Sequence, residues 1–137
     1  MSDKPLPTPN AESRPFWEAA AQGVLRIQRC DSCGAAQFPP RAICGHCHAK
    51  GAPRWEDARG TGIIASHTTV HRPPSPAFKA EVPYTLALVT LTEGPRILVT
   101  LRGKAAKSPA IGTPVMISFD PPVGPNAIAL PYAEAAA

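Results

Sequence analysis

The sequence predicts a mainly β protein: a short N-terminal helix, a small metal-held ribbon, and a C-terminal five-stranded barrel. Three observations carry that expectation. Four cysteines fall in two Cys-x-x-Cys pairs, Cys30/Cys33 and Cys44/Cys47, with none left over. From Gly60 onward the apolar residues alternate with polar ones, the strand period. Proline is abundant, at 18 residues, and helix-forming runs are few, which favours strands and ordered loops.

Each element follows in chain order. Residues 1–13 read as a proline-spaced flexible tail that is disordered or drapes over a partner. A helix over 14–23 can be capped by Ser13; Pro15 suits its first turn and Gly23 its stop. Leu25 and Ile27 alternate with Arg26 and Gln28, giving a strand that runs into Cys30 and opens a ribbon over 24–58. A short return strand joins the two cysteine turns, and Trp55 covers the metal site or the junction. The barrel occupies 59–132. Its strands are 61–70, 84–91, 96–101, 115–119 and 128–132, with turns at Gly94, Gly112 and Gly124. Five strands of this length suit the OB architecture, with a small SH3-like barrel as the rival. Residues 133–137 read as a second tail.

Two residues between thiolates let one tight turn aim both sulfurs at one point. Two such turns facing each other make a tetrahedral cage of four sulfurs, the geometry of a closed structural zinc site. The ten residues between the pairs suit a compact ribbon. A disulfide pair needs an oxidising compartment, and Met1-Ser2-Asp3-Lys4 does not begin a secretory signal. Iron in the same four-sulfur site stays open, because the ligand set admits it. So does a site of three cysteines with His46 or His48.

Net charge is +4. Residues 1–59 hold eight basic and six acidic residues, and residues 60–137 hold six and four, so each part carries +2. That even spread argues against a nucleic-acid footprint. No apolar run is long enough to span a bilayer, and the expected setting is cytoplasmic.

The ordered motifs Pro15-Phe16-Trp17, Cys30-Asp31-Ser32-Cys33-Gly34, Phe38-Pro39-Pro40-Arg41 and Cys44-Gly45-His46-Cys47 are followed by Gly60-Thr61-Gly62, His71-Arg72-Pro73-Pro74, Val82-Pro83-Tyr84, Glu93-Gly94-Pro95-Arg96 and Ile111-Gly112-Thr113-Pro114-Val115. Together they resemble the family that joins an N-terminal helix and a rubredoxin-like zinc ribbon to an OB-fold domain. Its members occur beside thiolases, thiolase-like aldolases and acyl-CoA hydratases. The resemblance implies a non-catalytic accessory subunit of an acyl-CoA-processing complex, in a hetero-oligomer with a thiolase-fold or hydratase partner. It carries structural zinc onto Cys30, Cys33, Cys44 and Cys47. The chain departs from the family after Leu130-Pro131-Tyr132, where only Ala133 to Ala137 follow.

The residues themselves offer no catalytic constellation. The thiols are taken by metal, a zinc bound by four thiolates has no open position, and neither Gly-x-Ser-x-Gly nor His-Glu-x-x-His occurs. His67 and His71 are set four apart and read as polar surface or as residues facing a partner's site. The remaining candidates are for contact. Phe16 and Trp17 pack on the chain's own core or face a partner. Phe78, ending a proline-stiffened loop, anchors in a partner pocket or folds over the barrel. Arg72, Arg102, Lys104 and Lys107 meet the phosphates of acyl-CoA held by the partner, or are solvated loop residues. Two rival functions remain: a single-stranded nucleic-acid binder, which needs stacking aromatics and a basic groove, and a stand-alone enzyme or iron electron carrier.

Overall fold

The computed structural model describes residues 4–51 and 53–136. Helix α1 spans Arg14–Ala20, with Pro15 in its first turn. It is shorter than expected and Ser13 does not cap it. Instead the Ser13 hydroxyl accepts the Asn10 N–H at 3.0 Å, and Asn10 Oδ1 accepts the Ser13 N–H at 2.8 Å. That reciprocal turn consumes the cap before the helix begins. Gly23 ends the following turn at φ +79°, a conformation suited to glycine.

The ribbon is a three-stranded antiparallel sheet. Strand β1 (Arg26–Arg29) lies between β2 (Ala36–Gln37) and β3 (Arg54–Asp57). Ion pairs cross from β1 to β3: Arg26 to Asp57 at 2.8 Å, and Arg29 to Glu56. Trp55 sits on β3 opposite Gln28 and packs against the central apolar cluster.

The five barrel strands are β4 (Thr61–Val70), β5 (Tyr84–Leu91), β6 (Arg96–Leu101), β7 (Pro114–Phe119) and β8 (Pro131–Ala135). They close in the order β4-β5-β6-β8-β7. The pair β6–β8 is parallel and the rest are antiparallel. An up-and-down barrel has no parallel neighbours, so this is the Greek-key OB arrangement. A short helix α2 (Lys104–Lys107) links β6 to the segment before β7.

The last strand lies three residues later than expected, and residues 133–135 are strand rather than tail. Ile128 and Ala129 are fully buried in the turn before it, where Ile128 and Val123 exchange backbone hydrogen bonds of 2.9 Å. Alanine has little intrinsic strand preference, which hid β8 in the sequence. Its small side chain is nevertheless what fits: Ala133 has no exposed surface and pairs with Leu101 and Ile117. The N-terminal segment, as far as it is described, also departs from expectation. Lys4 pairs with Glu81 at 2.9 Å and lies 5.8 Å over the Phe78 ring, so residues 4–6 run back along the barrel.

One apolar cluster joins all three parts. Ile64, Val89, Ile97, Val99 and Val115 fill the barrel, and Phe16, Leu25, Ile27 and Ala36 extend the same cluster into the helix and ribbon. Phe16 is 3% exposed and contacts the rings of Trp17, Phe38 and Phe119 at 4.8, 5.3 and 6.4 Å.

Ala133→Asp places an unpaired charge inside the barrel and should lower stability by about 3–5 kcal/mol. Ala135→Asp, at an exposed position of the same strand, should stay within about 0.5 kcal/mol of wild type. Urea unfolding of the two variants checks the placement of β8.

Candidate metal centre and surface sites

The four cysteine sulfurs all lie within 4.8 Å of one another, and no histidine joins the group. Cys30 Sγ is 3.6 Å from Cys47 Sγ, and Cys33 Sγ is 3.7 Å from Cys44 Sγ. No sulfur pair is bonded as a disulfide. A tetrahedron with zinc–sulfur bonds of about 2.3 Å has edges of about 3.8 Å, so the donor set fits a zinc ion held by all four thiolates. Cys30 and Cys44 are buried, while Cys33 and Cys47 face outward.

Each knuckle is shaped by its own backbone. Gly34 N–H donates to the Cys30 carbonyl and Cys30 N–H to the Ala35 carbonyl, both at 2.9 Å. Arg29 braces the first knuckle from β1 by donating to the Gly34 carbonyl at 2.7 Å. In the second knuckle the His46 and Cys47 N–H groups point at Cys44 Sγ from 3.3 and 3.5 Å. The Cys47 and His46 N–H groups pull the Cys44 thiol down to about 6. The Cys33 N–H lowers Cys30 in the same way. Cys47 receives the Ala49 N–H, but burial and the three neighbouring thiols outweigh it and push the group up to about 11. The protein without metal therefore keeps at least one thiol protonated at neutral pH, a proton that metal binding must displace.

Two buried glutamines hold the second knuckle in place. Gln28 donates to the Arg41 carbonyl at 2.8 Å and accepts from the Arg41 N–H at 2.8 Å and from Gln37 Nε2 at 2.6 Å. Gln37 Oε1 accepts the Gly45 N–H at 2.8 Å. Sequence reasoning missed this clamp, because Gln28 occupies the polar position of an alternating strand and reads as exposed. The usable signal was a second glutamine directly across the ribbon, on the return strand.

The other candidates are scattered. Phe16 is in the core rather than on a partner surface, because three aromatic rings enclose it. Trp17 is half-buried and borders a hollow of about 460 Å³ with Arg14, Glu18 and Asn126. Phe78 folds back on the barrel, 6.2 Å from the Tyr84 ring and beneath Lys4. Arg102 donates to both oxygens of Asp120 at 2.6 and 2.7 Å and stacks 3.9 Å over Tyr132. The hydrogen bonds to Asp120 hold its guanidinium even more firmly protonated. It ties the residue after β6 to the residue after β7 and to β8. Lys104 and Lys107 are exposed on α2, and Arg72 is exposed in the proline-rich loop. His46, His48, His67 and His71 are all exposed. Of the barrel aromatics, Phe119 faces Phe16, and Tyr132 lies under Arg102.

No helix among the described residues is long and apolar enough to cross a membrane.

A four-thiol ribbon packed on a Greek-key barrel defines a zinc-ribbon–OB-fold protein. Comparison with known proteins narrows this. Residues 17–52 match the family described as "ChsH2, rubredoxin-like zinc ribbon domain", and residues 55–120 match "ChsH2, C-terminal OB-fold domain". A "DUF35 domain-containing scaffold protein" of Methanothermobacter thermautotrophicus is 34% identical over 95 residues, covering 69% of this chain and 71% of that one. The chain belongs to this ChsH2-type DUF35 family. A "Probable enoyl-CoA hydratase alpha subunit" of Thermomonospora curvata is 42% identical over 118 residues, 85% of this chain. The chain spans only 35% of that relative's length. A chain of the solved structure described as "Ltp2-ChsH2(DUF35) aldolase" is 38% identical with a TM-score of 0.80, covering 96% of this chain and all of that one.

Complete chelation should release one equivalent of metal and open residues 30–53 to proteolysis while the barrel stays folded. Barrel amide protection with accelerated cleavage confined to the ribbon, measured side by side, checks it.

Proposed function

We propose that this chain is a non-catalytic accessory subunit of an acyl-CoA-processing complex. It docks on a thiolase-fold partner, which performs the chemistry at the thioester, and helps to shape the substrate channel. The observation that carries the reading is the likeness over the whole length of a chain from the Ltp2–ChsH2 aldolase structure. The scaffold-protein and hydratase-subunit names of the relatives agree with it. The chemistry of the chain points the same way. Its only thiols converge on one cluster, and a zinc ion held by four thiolates supplies rigidity rather than a reactive water. Zinc would be held by Cys30, Cys33, Cys44 and Cys47 in a structural role, in a reducing cytoplasmic setting that keeps the thiols available. In this reading Trp17 lies at the partner contact, and Arg72, Lys104 and Lys107 are the cations that reach coenzyme phosphates held by the partner.

Co-expression with the thiolase-fold protein encoded nearest to this chain tests the reading. Stable co-purification is expected, with thioester turnover by the pair and none by this chain alone. Independent elution of the two proteins, or turnover by the isolated chain, would sink it. Within the complex, Lys104→Ala/Lys107→Ala should raise the KM for acyl-CoA about 10-fold with little change in kcat, since such contacts act on binding.

A further inference from the structure

The ribbon and the barrel meet along an open cleft of about 590 Å³. One wall is the ribbon: Gly34 to Phe38, which include the return strand β2, then Arg41, Gly45 and His46. The other wall is the turn between β5 and β6: Glu93, Gly94, Pro95 and Arg96. Two segments far apart in sequence, each carrying an exposed arginine, thus face one space.

The charges around this cleft are unevenly committed. Arg29 is engaged with Glu56 and the Gly34 carbonyl. Glu93 accepts the Arg59 N–H through Oε2 at 2.9 Å, and its Oε1 is buried below the surface. Arg41 and Arg96 are exposed, and neither guanidinium has an ion-pair or hydrogen-bond partner among the described residues. Ala35, Ala36, Phe38 and Pro95 supply the apolar part of the same lining.

We propose that this cleft seats an acidic segment of the partner protein, one that carries carboxylates for Arg41 and Arg96 and an apolar side chain for the apolar part of the lining. The inference rests on the accessory-subunit reading and adds to it where, and by what chemistry, the partner is gripped. Guanidinium forks match carboxylates in a bidentate geometry. A free oxyanion would satisfy the arginines but leave the apolar part of the lining in water. A peptide segment uses both features. Placement at the junction also means that the segment touches ribbon and barrel together, so binding reports on their relative position.

The test uses the zinc-loaded chain and the co-purifying thiolase-fold protein, with affinity measured across a salt series. Arg41→Gln/Arg96→Gln should weaken binding by about 30-fold or more and flatten the salt dependence. Lys50→Glu/Lys79→Glu, exposed cations away from the cleft, should change binding by less than about 3-fold although it removes more charge. Zinc content and thermal unfolding confirm that each variant is folded. Arg41→Lys/Arg96→Lys, which keeps both charges, should recover part of the loss. Wild-type affinity in the glutamine pair, with the complex otherwise intact, overturns the cleft and leaves the accessory reading standing. Inorganic phosphate displacing the partner from the wild-type chain more strongly than chloride at equal ionic strength also overturns it, in favour of a small-oxyanion site. Failure of the wild-type chain to associate at all removes the accessory reading and this docking site with it.

Discussion

Between the end of β1 and the start of β3 the chain has little to bury. Cys44 and Ala36 are buried there, while Ile43 is about half exposed and most of the other residues face water. Ordering backbone costs about 1–2 kcal/mol per residue, and this stretch has too few apolar contacts to offset that. The convergence of four thiols on one point is the constraint that resolves the conflict. A metal ion held there replaces a core, as it does in domains too small to build one. Every feature that the ribbon presents outward, including the position of Arg41, hangs from that point.

The cluster would hold a loose flap if nothing else fixed the ribbon. Phe16 supplies the second attachment. Its ring lies between Phe38 of the ribbon and Phe119 of the barrel, so one side chain on α1 is shared by all three parts. The Gln28–Gln37 pair adds direction by tying the second knuckle to the strands beneath it. Buried amides that satisfy one another fix a single arrangement, because any shift leaves a polar group without a partner. Metal, aromatic junction and amide clamp together give a rigid surface, which suits the accessory role proposed above.

Much of this was legible in the sequence, for identifiable reasons. The cysteine spacing states its own geometry. The strands from Thr61 to Leu101 are long, β-branched and alternating, so their limits could be read directly. β8 could not, since its alanines carry no strand signal and their fit depends on Leu101 and Ile117 arriving first. Nor could the placement of Phe16, because a short helix with two aromatics gives no indication of which ring turns inward. Arg102 illustrates the same limit: as a loop cation near two lysines it reads as a phosphate contact or a solvated loop residue, and only the fold brings Asp120 and Tyr132 to it.

Charge is where counting along the chain misleads most. The +4 excess is divided evenly between the two halves, which suggests a surface without direction. Folding changes that. Arg26, Arg29, Arg54 and Arg102 pair with acids from other elements and are neutralised in place. The acids used in those pairs are no longer available to balance the cations left over. Exposed pairs of this kind add little stability, about 0–1 kcal/mol each. Their larger effect is to sort the basic residues into those that brace the fold and those that remain for contact. Arg41 and Arg96 belong to the second group, and the junction of ribbon and barrel brings them to the same cleft. The fold thus brings together two cations that lie 55 positions apart in an evenly charged sequence.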